Sequence, residues 1–130
     1  MKDISTDTLH FTFDGKLLIT ELIRDVEIDV PQAEEGYVAS QKITEGKKYL
    51  SLVLVSQNTS ITSKAQKSSM KKENYTHVVA QAIVIRSLTQ RLIGNFMIKF
   101  IKYPCPVQLF TSKDKAVKWL NNEWEKTGLN

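Results

Sequence analysis

The sequence predicts an α/β domain with a mixed β-sheet, an N-terminal hairpin and about four α-helices. Three observations carry this reading. Two nearly unbroken apolar runs, Tyr49-Leu50-Ser51-Leu52-Val53-Leu54-Val55 and His77-Val78-Val79-Ala80-Gln81-Ala82-Ile83-Val84-Ile85, fit strands covered on both faces. The second run feeds an amphipathic stretch from Leu88 to about Lys102, then a short strand, Val107-Gln108-Leu109-Phe110, and a last helix carrying Ala116, Trp119 and Leu120. Upstream, two apolar segments flank Asp14-Gly15, the signature of a tight hairpin.

Taken in order, Leu9-His10-Phe11-Thr12-Phe13 alternates as a strand does, and Lys16 to Leu22 returns antiparallel to it. Asp29 then opens a helix: an acid at the cap, Pro31 in the first turn, Gln32 at the capping-box position, and Glu34 and Glu35 near the positive end of the dipole. Gly36 weakens that helix by ~1 kcal/mol relative to alanine, and Gly46 ends it. The strand from Tyr49 leads into a polar loop, Ser56 to Ser60, and a poorly amphipathic helix from Thr62 to about Asn74. With so little apolar surface to bury, it is expected to be the least stable helix.

After the strand ending at Ile85, Ser87 and Gln90 stand at capping-box spacing. On a wheel of ~100° per residue, Leu88, Leu92, Ile93, Phe96, Met97 and Phe100 form one broad stripe, expected to face the core. Pro104 and Pro106 stop that helix. Thr111 or Ser112 caps the next, Gly128 closes it, and Trp119 is expected to be largely buried.

A chain of 130 residues with 42% hydrophobic and 25% charged side chains reads as one globular domain, residues 1–130, able to bury a core without metal or disulfides. Its one cysteine, Cys105, excludes an intramolecular disulfide and fits a reducing cytoplasm or indifference to redox state. No apolar signal region or run of ~18 apolar residues is present, so a cytoplasmic location without a transmembrane segment is expected. Charge is split unevenly: residues 1–45 hold four bases and ten acids, and the remainder holds fourteen bases and four acids. Such a split favours contact between the halves, within one chain or between two, or else marks two solvated faces.

Catalytic and metal chemistry find no support. His10 and His77 have no ligand partners at metal spacing, Cys105 sits between two prolines with no neighbouring base, and the five glycines are scattered. No cofactor is expected. Lys64, Lys67, Lys71 and Lys72 make a basic face that suits solvent, or anionic lipid headgroups at ~1 kcal/mol per lysine. Without stacking aromatics or an arginine fork, specific nucleic-acid binding is not expected.

The order β-β-α-β-α-β-α-β-α from about Leu9 to Trp124 resembles the STAS fold of anti-sigma factor antagonists, in its SpoIIAA-like branch, which is also compared with the lipid-binding Sec14 domain. The resemblance rests on the strand ending Val84-Ile85, then Ser87, Arg91-Leu92, Asn95-Phe96, Pro106-Val107, Phe110, Ala116 and Trp119-Leu120. It implies a non-enzymatic regulatory or binding module acting by protein–protein contact, with a partner or a second copy. A carrier or sensor of a small apolar ligand or lipid at a membrane surface is the alternative. In signalling members a serine within Asp-Ser-Ser-Gly is phosphorylated by a partner kinase. Here the matching stretch is Ile61-Thr62-Ser63-Lys64-Ala65, so only Ser63 corresponds, and without the acid and the glycine the switch is not expected.

One further surface is expected. Gly94, Met97, Ile98 and Ile101 continue the apolar character of the Leu88 helix beyond its stripe, rimmed by Gln90 and Lys102. A helix-interior glycine implies close approach by another surface, either a second subunit, partner helix or lipid tail, or a neighbouring element of the same chain.

Overall fold

Each strand of the main sheet lies beside its predecessor in sequence. The computed structural model describes residues 1–23, 25–100 and 102–129. Its strands are β1 (Lys2–Ser5), β2 (Leu9–Phe13), β3 (Leu17–Leu22), β4 (Glu27–Ile28), β5 (Tyr49–Leu54), β6 (Ser60–Ile61), β7 (Val78–Val84) and β8 (Val107–Phe110). The order β1-β2-β3-β5-β7-β8 forms a mixed sheet, antiparallel from β1 to β3 and parallel from β3 to β8. β4 and β6 make a separate parallel pair. The helices are α1 (Val30–Thr44), α2 (Ser63–Ser69), α3 (Leu88–Phe100) and α4 (Lys113–Thr127), with a 3-10 turn at Lys72–Tyr75. The chain is therefore an α/β protein.

Local chemistry sets these elements. At the hairpin, Gly15 takes φ +99°, and the Asp14 carboxylate accepts from the Lys16 and Leu17 amides at 2.9 and 2.7 Å. Asp29 caps α1 in a complete box with Gln32, with proline in the first turn. Thr62 caps α2 by accepting from the Ala65 amide, Ser112 caps α4, and Gly128 ends it in the left-handed region. The expected helix over Thr62–Asn74 is instead seven residues of α2 followed by the 3-10 turn. Its few apolar side chains give a longer helix nothing to pack.

Period-two alternation assigns the two sheet faces. Leu50, Leu52, Ala80, Ala82 and Val84 pack under α4 with Ala116, Leu120 and Trp124. Three alanines with no exposed surface bring α4 close to the sheet. Trp124 is buried in that core, and Trp119 packs partly buried against it, in line with the burial expected of it. Trp119 is half-buried with its ring 5.6 Å from that of Phe110. α1 covers the opposite face at the β1–β3 end, where Phe11, Phe13, Leu18, Ala39, Ile43 and Tyr49 cluster.

α3 is rotated relative to its sequence expectation. Leu88, Leu92 and Phe96 are 70%, 62% and 61% exposed, so that edge of the expected core stripe lies outward, while Ile93 and Met97 of the same stripe are half-buried and line the inner side. The inward side is marked by Gly94, where an added Cβ would stand 2.7 Å from Leu109 Cδ1. α1 repeats the device: a Cβ on Gly36 would meet Leu9 Cδ1 at 2.7 Å. Both glycines permit the close seating of a helix on the sheet.

The uneven charges do not join the halves through ion pairs among the described residues. Lys2 pairs with Glu45, and Lys126 with Glu123, each within its own half. Contact between the halves is made instead by sheet pairing and by hydrogen bonds such as Thr62 Oγ1 to Asp29 Oδ1, 2.9 Å.

Candidate functional site

The sheet face opposite α4 is only partly filled. Two rungs cross it in register: Leu18, Ser51 and Gln81 on one, Thr20, Val53, Ile83 and Leu109 on the next. Above them, bounded by α1, α2, the 3-10 turn, α3 and the loop into β6, lies a cavity of about 690 Å³. That size falls within the range of small-molecule sites, and most of its walls are apolar.

A short polar chain crosses the floor. Ser51 Oγ donates to Gln81 Oε1 at 3.0 Å, and Gln81 Nε2 donates to the Tyr75 hydroxyl at 3.4 Å. The Tyr75 ring meets Tyr103 edge-on at 5.5 Å. Burial holds the Tyr75 hydroxyl well above its ordinary pKa, and the neighbouring Tyr103 adds to this. Burial likewise pushes Tyr49 up to about 12. These groups are therefore neutral donors and acceptors at physiological pH. Burial also pushes the Cys105 thiol up to about 11, leaving it protonated and a poor nucleophile.

The opposite end is latched by one side chain. Gln90 Oε1 accepts from the Arg86 amide at 2.8 Å, and Gln90 N donates to Ser87 Oγ at 3.1 Å, which secures the start of α3. Its Nε2 reaches the carbonyls of Ser56, Gln57 and Thr59 at 2.7, 3.3 and 3.2 Å. Two hydrogens are thus shared among three acceptors. The β4–β6 pair continues this roof, with Asp29 bridging the α1 cap to Thr62. The Val30 amide, then the Thr62 hydroxyl, hold the Asp29 carboxyl below its usual range.

The residues singled out from sequence fall in different places. Gly94 and Met97 line the cavity from α3, Ile98 is half-buried beside them, and Ile101 lies outside the described residues, as does the side chain of Phe100. Gly94 thus meets a neighbour of its own chain. Ser63 is exposed at the first position of α2, just after the Thr62 cap. Lys64, Lys67, Lys71 and Lys72 are exposed on α2 and the following turn, outside the cavity. His10 Nδ1 is hydrogen-bonded to Ser5 Oγ at 2.6 Å. Among the described residues no group of three or more His, Cys, Asp or Glu could hold a metal, and no helix is long and apolar enough to cross a membrane.

Sequence reasoning missed the cavity itself. Ser51 and Gln81 were its available signal: polar residues inside two apolar central strands, adjacent in register and on one face.

A family model described as a domain of unknown function (DUF7793) matches residues 11–123. No curated protein matches the chain significantly. Among solved structures, a protein with unknown function from Arthrobacter sp. FB24 is similar at 22% identity, over 87% of this chain and 97% of that one, with a TM-score of 0.31.

Proposed function

The chain belongs to the DUF7793 family, and we propose that it is a non-enzymatic binding module that holds a small apolar ligand. The cavity of about 690 Å³ between the sheet and three helices carries this reading. Its mostly apolar walls, broken by a few convergent polar groups, have the character of a small-molecule site. We assign the fold to the STAS type, in its SpoIIAA-like branch. Support comes from the N-terminal hairpin followed by alternating strands and helices whose strands pair in sequence order.

The test is binding of N-phenyl-1-naphthylamine, a neutral dye that brightens in apolar surroundings. Wild type should bind it at one site, and Val53→Trp, which fills the floor, should abolish binding while circular dichroism stays native. No fluorescence gain with folded wild type would defeat the reading.

A second reading, regulation by protein–protein contact, is favoured by the exposed Leu88 and Leu92 on the outer side of α3. Sedimentation velocity of wild type against Leu92→Glu tests it for self-association. A wild-type dimer reduced to monomer by the substitution supports it, and a monomer in both cases removes a second copy as the partner.

A further inference from the structure

We propose that the ligand of this cavity is an uncharged molecule, apolar along most of its length, with a hydrogen-bond-accepting carbonyl, ether or hydroxyl oxygen placed at Tyr75. The inference rests on the cavity reading above and narrows it to a chemical class.

Every described side chain that lines the cavity is uncharged. Thr20, Ser51, Gln81 and Tyr75 are the polar members at the floor, and the last three are linked to one another, with Ser51 5% and Tyr75 9% exposed. A carboxylate or phosphate carried down to them would leave water without gaining a cation, a loss of several kcal/mol that neutral donors do not restore. An anionic headgroup is therefore selected against at this depth. The basic side chains nearest in sequence, Lys64 to Lys72, stand on the outer surface of α2 and its turn.

The direction of the polar chain fixes which end the ligand must bring. Ser51 donates to Gln81, and Gln81 donates to the Tyr75 oxygen. That hydroxyl has accepted once and retains its own hydrogen to give. Since burial keeps the phenol protonated, a ligand oxygen that accepts its hydrogen completes the chain. The apolar length lies along Val53, Ile83 and Met97.

A matched pair of probes tests the class: 2-nonanone and nonanoate, titrated at pH 7.5 and followed by amide chemical shifts of Ser51, Gln81 and Gly94. The ketone is expected to bind at least about tenfold more tightly than the carboxylate. In Tyr75→Phe, ketone affinity should fall by about five- to tenfold, while naphthalene, which has no accepting oxygen, should bind as in wild type. Equal affinity for ketone and carboxylate would overturn the neutral-ligand inference. An unchanged ketone affinity in Tyr75→Phe would overturn the placement of its oxygen. If none of the three probes perturbs folded wild type, the cavity reading itself falls, and this inference with it.

Discussion

Gly94 of α3 lies so close to Leu109 of β8 that a Cβ at Gly94 would stand 2.7, 3.0 and 3.4 Å from the two methyl carbons and Cγ of that leucine. At Gly36 of α1 only one methyl carbon, Leu9 Cδ1, is comparably near, with Phe11 Cζ next at 3.9 Å. The two helix glycines should therefore respond differently to alanine. Removing a glycine from a helix interior gains ~1 kcal/mol, and overpacking costs about 1–3 kcal/mol. Urea unfolding should find Gly36→Ala near neutral and Gly94→Ala destabilised by about 1 kcal/mol. The reverse ranking would contradict the seating of α3.

The orientation of α3 is tested by a pair of leucines. Leu120 has no exposed surface and sits between α4 and the central strands; its truncation to alanine should cost about 2–5 kcal/mol. Leu92 is 62% exposed, and its truncation should stay within about 0.5 kcal/mol. A large loss at Leu92 in denaturant unfolding would restore the inward stripe expected from sequence.

Gln90 separates two jobs in one side chain. Gln90→Glu retains the oxygen that accepts from the Arg86 amide but loses the donors to Ser56, Gln57 and Thr59. Hydrogen exchange should then quicken in residues 56–60 while the first turn of α3 stays protected. Gln90→Ala should loosen both and cost about 1–3 kcal/mol. Faster exchange confined to α3 in the glutamate variant would refute the latch.

Alkaline pH should unfold the protein by a defined route. Burial raises Cys105 from about 9 to about 11 and Tyr49 from about 10 to about 12, and raises Tyr75 in the same direction. Above the unfolded-state values the unfolded chain has released protons that the folded one retains, so stability falls as pH rises. It should be level with respect to these groups below about pH 8 and decline from about pH 9 to 12. Absorbance at 295 nm should show Tyr49 and Tyr75 ionising together with the loss of near-UV circular dichroism. Ionisation of both ahead of unfolding would contradict their burial.

The central strands and the hairpin were legible because their residues are apolar on both faces or cross a turn with strong chemistry, as at Asp14-Gly15. β1 was not, since Lys2-Asp3-Ile4-Ser5 offers one apolar side chain and is held largely by pairing to β2. β4 and β6, of two residues each, are tertiary contacts more than local preferences. α3 misled because apolar residues surround most of it. A hydrophobic stripe then loses its power to point inward, and the better indicator was its glycine. The cavity was illegible for a different reason: a space between elements depends on their separation, which no periodicity encodes. Only the Ser51–Gln81 pair hinted at it.

The strand order has a consequence for synthesis. Because each strand joins the one before it, the sheet can grow as the chain leaves the ribosome, but α4, which covers Leu50, Leu52, Ala80 and Ala82, is made after every strand. At about 5–20 residues per second, the interval between Ala82 and α4 leaves that apolar face bare for on the order of seconds. A nascent chain halted with residues up to about 112 clear of the exit tunnel should therefore crosslink to chaperones and bind hydrophobic dyes, and one with residues through Thr127 clear of the tunnel should not. Equal labelling of the two would show that the face finds another cover during translation.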